Sequence, residues 1–400
     1  MDDQSRPTAH SSAWRPACAS VPALRSDVAP IEPQPPIVRR LRRLCLPVIA
    51  LLAAFLGLAP SAGAALPKGF VGLTSEDVFA GDAGYRTSSL SSQASVGVRL
   101  HRQTFDWSTI ETAPGHYDLS VHDAYVAAAA AHGIRVLPVL FQPPSFHLGR
   151  THVRATCPPG SNASFAAFAK ALVRRYGPKG TLWRERPDLR KRPITAWQIW
   201  NEPNLGMFYW CGSSSAKQYV AMLRRVGGAI KRVDRGAEIV TAGLPPSKLT
   251  GAVPLTTFIS QMYRAGGKRA FDSLAINSYA KDQRQLRELL GSIRRLMNRH
   301  GDRRGRIWIT ELGWGDQGVD HRFIVGATGQ ASRITKSFAL IRKQRRRLRL
   351  RGVVYFSWRD QSPYPPRYEN LWGLHTGLLD NDGTPKPAFF AFQRAVGRLR

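Results

Sequence analysis

The sequence predicts an α/β protein, a single (β/α)8 TIM barrel running from Ala65 to Arg400 behind an N-terminal export segment. Three observations predict it. Short β-branched runs alternate with helical stretches along the whole chain after Leu66, the pattern of a parallel sheet with crossover helices. Eight such runs are spread over roughly 335 residues, enough for a barrel of typical size with insertions in its loops. No stretch repeats itself with the period of a solenoid or propeller.

In chain order the strands are expected at residues 70–73, 96–102, 135–141, 194–201, 238–242, 273–279, 306–311 and 352–358. Between them, apolar periodicity places helices at 120–132, 164–176, 215–233, 256–265, 284–300 and 329–344, with 387–399 as a closing helix. The first crossover, 74–94, shows no strong helical pattern.

Composition supports a large core, since 43% of the residues are hydrophobic and 10 are Trp. A formal net charge of +31 invites a nucleic-acid partner. The excess is Arg scattered along the whole chain, however, as a GC-rich coding sequence would give without functional demand. No specific nucleic acid is therefore expected, and the charge points instead to non-specific adhesion to an anionic cell wall or polymer. The dense run at 342–351 precedes a strand and is expected at the solvated end of a helix.

Residues 1–38 are rich in Pro, Ser and Ala and read as disordered. Four arginines within 39–43 then precede an uncharged stretch from Leu44 to Leu66 that contains Ala62-Gly63-Ala64. This is the layout of an export peptide cleaved after Ala64, which divides the chain into 1–64 and 65–400 and implies secretion. The alternative is an uncleaved membrane anchor, against which Pro60 and Gly63 count. After cleavage only Cys157 and Cys211 remain, and two cysteines in an exported chain suggest a disulfide. No His/Cys spacing resembles a metal site and no Gly-rich loop follows a strand, so no cofactor is expected.

Active sites of such barrels lie at the C-terminal strand ends. Two of these ends carry a carboxylate set among Trp, Asn and Gly: Trp200-Asn201-Glu202-Pro203-Asn204 after the fourth strand and Thr310-Glu311-Leu312-Gly313-Trp314 after the seventh. A carboxylate pair suits glycosidic cleavage, in which one acid protonates the leaving oxygen while the other faces the developing oxocarbenium ion. Neighbouring aromatic rings stack on sugars and lower the local polarity.

These two peptides resemble the acid/base and nucleophile strands of clan A retaining glycoside hydrolases, with the flavour of families 39 and 5, cellulase- or xylosidase-like. The likeness extends to Val98-Arg99-Leu100-His101-Arg102, to Gly133-Ile134-Arg135-Val136-Leu137-Pro138, to Phe356-Ser357-Trp358-Arg359-Asp360 and to Pro385-Lys386-Pro387-Ala388. The resemblance implies an exported O-glycosidase, acting on a carbohydrate and cleaving a β-linked bond by double displacement. Glu202 would be the acid/base and Glu311 the nucleophile. Asn201 would bind the sugar 2-hydroxyl, Arg102 would place a cation beside Glu311, and Tyr279 would donate to Glu311. Trp358 would form the floor of the sugar site, with Asn277 and Trp314 completing the substrate-binding set. Asn277 departs from the pattern, because related enzymes often have His there. His101 and His147 read as structural rather than sugar-binding. The competing class is a catalytically inactive glycan-binding barrel or a wall-associated carbohydrate-binding protein, against which the presence of both Glu residues argues.

Overall fold

The computed structural model describes residues 66–149, 156–318, 322–361 and 372–399. The expected disordered and export segment lies outside the described residues. Eight parallel strands close into a barrel: β1 (Val71–Thr74), β2 (Leu100–Asp106), β3 (Arg135–Phe141), β4 (Ala196–Ile199), β5 (Glu238–Leu244), β6 (Ser273–Asn277), β7 (Arg306–Leu312) and β8 (Leu350–Phe356). Each is followed by a helix: α1 (Ala83–Ser95), α2 (Ser120–Ala131), α3 (Asn162–Tyr176), α4 (Ala216–Val233), α5 (Leu255–Arg264), α6 (Gln283–Arg299), α7 (Gly326–Leu348) and α8 (Pro387–Gly397). Among the described residues no helix is long and apolar enough to cross a membrane.

The (β/α)8 expectation is met, with shifts at element ends. The helix α1, absent from the sequence reading, is rich in Ser and buries only Ser89, Leu90 and Gln93, so its apolar period is faint. It starts because Asp82 caps it, accepting from Tyr85 N at 2.8 Å. The second strand begins at Leu100 rather than Val96, because Gly97 has φ +96 and breaks the extended run. The basic run lies mostly on the last turns of α7, which ends on Arg349 in the left-handed region at φ 54. Arg346 and Arg347 are exposed there.

Alternation along each strand sets what fills the barrel. One interior layer consists of Leu100, Leu137, Ala196, Val240, Ala275, Trp308 and Val354. Trp308 fits because position 352 is glycine, where a Cβ would lie 2.2 Å from the indole. Below it the buried Glu238 accepts from Trp308 Nε1 at 3.1 Å and Ser273 Oγ at 2.5 Å, and pairs with Arg351 at 3.1 Å and Arg306 at 3.3 Å. The lower end is therefore sealed. A second, larger core packs the helices against the outer strand faces. The same alternation, carried one step upward, points Arg102, Gln198, Asn277 and Phe356 into the open end.

Candidate active site

The open end holds the carboxylates, and each is brought there by a local departure from regular structure. Beyond β4, Trp200 has φ 74 and Glu202 φ 45. Two left-handed residues so close together are costly for side chains other than glycine, on the order of 1–2 kcal/mol each. Packing holds the turn: Trp200 is fully buried against Phe141, Phe165 and Trp210, and its Nε1 donates to the Tyr209 carbonyl at 2.9 Å. Asn204 ties the same loop to the loop after β5, donating to the carbonyls of Pro245 at 3.0 Å and Val253 at 3.2 Å.

On β7 the device is a bulge. Ile309 pairs with Ile276, but Glu311 pairs with the very next residue, Asn277. Regular alternation from Trp308 would turn Thr310 inward and Glu311 outward. The extra residue lets both face the interior.

Arg102, 7% exposed on β2, links three strands through one guanidinium. Its Nη1 donates to Glu311 Oε1 at 2.8 Å, its Nε to Gln198 Oε1 at 2.8 Å and its Nη2 to Asn201 Oδ1 at 3.0 Å. Gln198 is itself anchored to the Thr241 carbonyl at 3.0 Å. The Tyr279 hydroxyl donates to the other Glu311 oxygen, Oε2. Burial first, and then the charges of Glu311 and Glu202, hold that phenol well above its ordinary pKa, so it stays a donor. With Oδ1 engaged by Arg102, the Asn201 amide keeps its N–H groups for another acceptor.

Glu202 sits differently. It is 8% exposed, and Asn277 Nδ2 donates to its Oε1 at 2.6 Å. Burial pushes its pKa up to about 8, helped by the charge of Glu311 and opposed by Asn277 and Arg102. Asn277 is fully buried, and Thr310 Oγ1 donates to its Oδ1 at 2.9 Å, fixing which end of the amide faces Glu202. Gly243 makes room: a Cβ there would lie 2.1 Å from Asn277 Oδ1 and 2.8 Å from Thr310 Oγ1.

The structure thus brings Glu202, Glu311, Asn201, Arg102, Tyr279 and Asn277 together. Asn277 meets Glu202 rather than open space. The two tryptophans stand elsewhere. Trp358 is 1% exposed and packs on Phe389 of α8, with ring centroids 6.0 Å apart. Trp314 is fully buried, its Nε1 donating to the Ala280 carbonyl at 2.7 Å. The half-buried ring that β8 delivers to the mouth is Phe356. Part-exposed Trp372 stands against Tyr279 at 4.7 Å and Phe323 at 4.9 Å, adding an aromatic wall.

His101 is buried, contacting Tyr125 Oη at 2.9 Å and Gln93, and burial pulls its pKa down to about 3. His147 lies 3.1 Å from the buried Glu111. Both are structural neighbours of the site. Cys157 and Cys211 form a disulfide with Cα atoms 5.0 Å apart, joining the loops after β3 and β4. Lys386, 2% exposed, bridges Asp316 at 2.8 Å and Asp360 at 2.5 Å, and so joins the loops after β7 and β8. Among the described residues no group of His, Cys, Asp and Glu is arranged to hold a metal ion.

Sequence reasoning missed Gln198, Thr310 and Phe356. A lone polar residue facing inward on an otherwise apolar strand was the available signal for the first two.

No protein-family model and no curated protein matches the chain. Among solved structures it is similar to a family 39 glycoside hydrolase from Bacteroides cellulosilyticus WH2, with a TM-score of 0.60, 18% identity and coverage of 84% of this chain and 65% of that one. It is similar to a family 39 β-xylosidase from Caulobacter crescentus, with a TM-score of 0.60, 18% identity and coverage of 84% and 72%. It is also similar to a family 5 protein from Streptomyces cattleya solved with Manβ1-4GlcNAc, with a TM-score of 0.59, 15% identity and coverage of 82% and 80%. The chain thus spans under two thirds of the length of the Bacteroides protein. At these identities the likeness establishes the architecture alone: the chain carries a (β/α)8 barrel similar to those of these glycoside hydrolases.

Proposed function

We propose that the protein is an exported retaining glycoside hydrolase that cleaves β-linked O-glycosidic bonds, with Glu202 as acid/base and Glu311 as nucleophile. The observation that carries this reading is the unequal treatment of two neighbouring carboxyls. One is buried with its pKa near 8, and the other is held by a guanidinium and a phenol. A glycosidase needs that asymmetry, because one group must arrive protonated and the other as carboxylate.

In the first step a Glu311 oxygen attacks the anomeric carbon while Glu202 gives its proton to the departing glycosidic oxygen. The nucleophile is pre-aimed by Arg102 and Tyr279, so little reorganisation accompanies the attack. In the second step Glu202, now a carboxylate, takes a proton from water, which attacks the same carbon and releases Glu311. Asn201 is placed to donate to the sugar 2-hydroxyl, a contact that strengthens as the ring flattens. Phe356 supplies the floor under the reacting ring, with Trp372 alongside. The disulfide pins one wall of the cleft and suits an extracellular setting.

The fold neighbours include a β-xylosidase, a glucosidase and an exo-β-1,4-mannosidase, and the substrate is a β-glycoside of a sugar of this kind. The test is hydrolysis of a panel of aryl β-glycosides by wild type and by Glu311→Ala. Loss of activity in the variant, restored by azide with an inverted glycosyl azide product, supports the nucleophile. Tight glycan binding without any turnover by the wild type would transfer the reading to a binding barrel.

A further inference from the structure

The strand that leads into Glu202 is laddered on one side and wedged on the other. Toward β3 the pairing continues to the end of β4, with Leu140 opposite Ile199 and Trp200 N donating to the Leu140 carbonyl at 3.0 Å. Toward β5 the paired register stops at Gln198 opposite Val240. Lower down, Glu238 N donates to the Thr195 carbonyl at 2.8 Å. The same parallel register, carried on along both strands, would bring Ala242 N to the Ile199 carbonyl. A side chain occupies that rung instead. The hydroxyl of Tyr219, fully buried on α4, donates to the Ile199 carbonyl at 2.9 Å and accepts from Ala242 N at 2.5 Å. On the other side of β5 a bulge lies between Val240 and Gly243. There Thr241 Oγ1 accepts from Ala275 N at 2.8 Å and donates to the Ala242 carbonyl at 3.1 Å. Above the wedge Asn204 joins the two loops again. The opening is thus confined to one level, just below the turn that presents Glu202 and beside Gly243, against which Asn277 and Thr310 lie.

We infer that Tyr219 and Thr241 are positioning residues, whose hydroxyls hold β5 off its neighbours at this level and so bring Asn277 into hydrogen-bonding reach of Glu202. A direct rung would draw Ala242 toward Ile199 and shift the adjoining Gly243 backbone against Asn277 and Thr310, where even a Cβ has no room. A hydroxyl suits the task because it both donates and accepts, leaving neither the Ile199 carbonyl nor the Ala242 amide unpaired. Burial holds the Tyr219 phenol well above its ordinary pKa, so it keeps the proton it donates. Trp210 and Phe258 stand against its ring, with centroids 6.1 and 6.3 Å away, and fix the wedge in place. The inference deepens the glycosidase reading, in which Glu202 is the acid, and its main readout does not need turnover.

The test is a carboxyl-carbon NMR titration of Glu202 in the full chain, its resonance identified by its loss in Glu202→Gln. The charged and ionisable groups facing Glu202 are Arg102, Glu311, Tyr209 and Tyr279, and the test variants keep all four. Tyr219→Phe keeps the ring and removes the hydroxyl, and Thr241→Val removes the second hydroxyl at nearly constant shape. Each should raise the Glu202 pKa, by about half a unit or more, because its contact with Asn277 is weakened. Each should also lower kcat about tenfold with KM within about twofold. Thr241→Ser, which keeps the hydroxyl, should titrate as wild type. Tyr263→Phe on α5 deletes another buried hydroxyl, one that donates to Asp302 at 2.7 Å, and should lower the melting temperature while leaving Glu202 unmoved. A Glu202 titration that is unchanged or lowered in both Tyr219→Phe and Thr241→Val would reduce the two hydroxyls to structural roles and overturn the inference. The expected titration shifts in a protein that hydrolyses no glycoside would uphold the positioning and overturn the glycosidase reading instead.

Discussion

Asn277 donates to Glu202 Oε1 at 2.6 Å from a side chain that Thr310 holds in one orientation. With Oε1 occupied as an acceptor, a proton on Glu202 resides on the other oxygen, where a leaving group can take it. The hydrogen bond also stabilises the charged form and so restrains the upward shift that burial imposes.

The first prediction follows from that balance. If Glu202 must be protonated, the alkaline limb of the wild-type kcat/KM profile should fall near pH 8. Removing the donor in Asn277→Ala should move this limb upward, by about half to one unit. Thr310→Val, which frees the amide to turn, should move it the same way by less. A limb that stays in place while both variants fold normally would remove Asn277 from control of the acid.

Glu202 also makes stability depend on pH. Its folded pKa lies above its unfolded one, so the folded state holds the proton more tightly. That contribution is fully present below the unfolded value, near 4.5, and is lost as pH rises through about 8. Glu202→Gln, which keeps the acceptor for Asn277 and carries no charge, should match the wild type near pH 4.5. At pH 9 it should melt higher, by on the order of 5 °C. Melting curves at the two pH values decide it.

Arg102 serves through its fork as well as its charge. Arg102→Lys keeps a cation near Glu311 but cannot also reach Gln198 and Asn201 with the same geometry. We expect kcat/KM to fall about a hundredfold, with most of the loss in kcat because substrate contacts are largely retained. Near-wild-type turnover would show that charge alone suffices.

The disulfide closes a loop with a sequence separation of 54 residues, so its reduction should cost stability, about 2–4 kcal/mol. The effect on turnover should appear mainly in KM, since Cys157 and Cys211 secure loops beside the cleft and touch neither carboxylate. Paired Cys157→Ser/Cys211→Ser kinetics and denaturant melts separate the two effects.

The barrel and the two carboxylate-bearing strand ends were legible because β-branched runs and the Trp-Asn-Glu-Pro and Thr-Glu-Leu-Gly peptides are local signals. What surrounds the carboxylates was not. The inward turn of Glu311 depends on a bulge at Thr310, and no pattern in β7 alone announces that an extra residue is absorbed there. Gly243 looks like a weak strand residue until Asn277 and Thr310 occupy the space its missing Cβ leaves. The helix α1 was hidden because its buried face is partly Ser and Gln. These features are set by pairing between distant strands, which one-dimensional periodicity does not encode.

Phe356 and Trp358 make the sharpest case of that gap and the last prediction. A Trp near the end of the final strand is the natural choice for a sugar floor, and Trp358 fills that description in sequence. Interior alternation through Gly352 and Val354 delivers Phe356 to the mouth instead, half-buried, while Trp358 is 1% exposed against Phe389. Phe356→Ala should therefore lose kcat/KM by about tenfold or more, since ring stacking on sugar is removed, with little change in melting temperature. Trp358→Ala should do the reverse, opening a cavity behind the barrel wall and costing about 3–5 kcal/mol. Measured side by side, a catalytic loss confined to Trp358→Ala at normal stability would return the floor to the tryptophan.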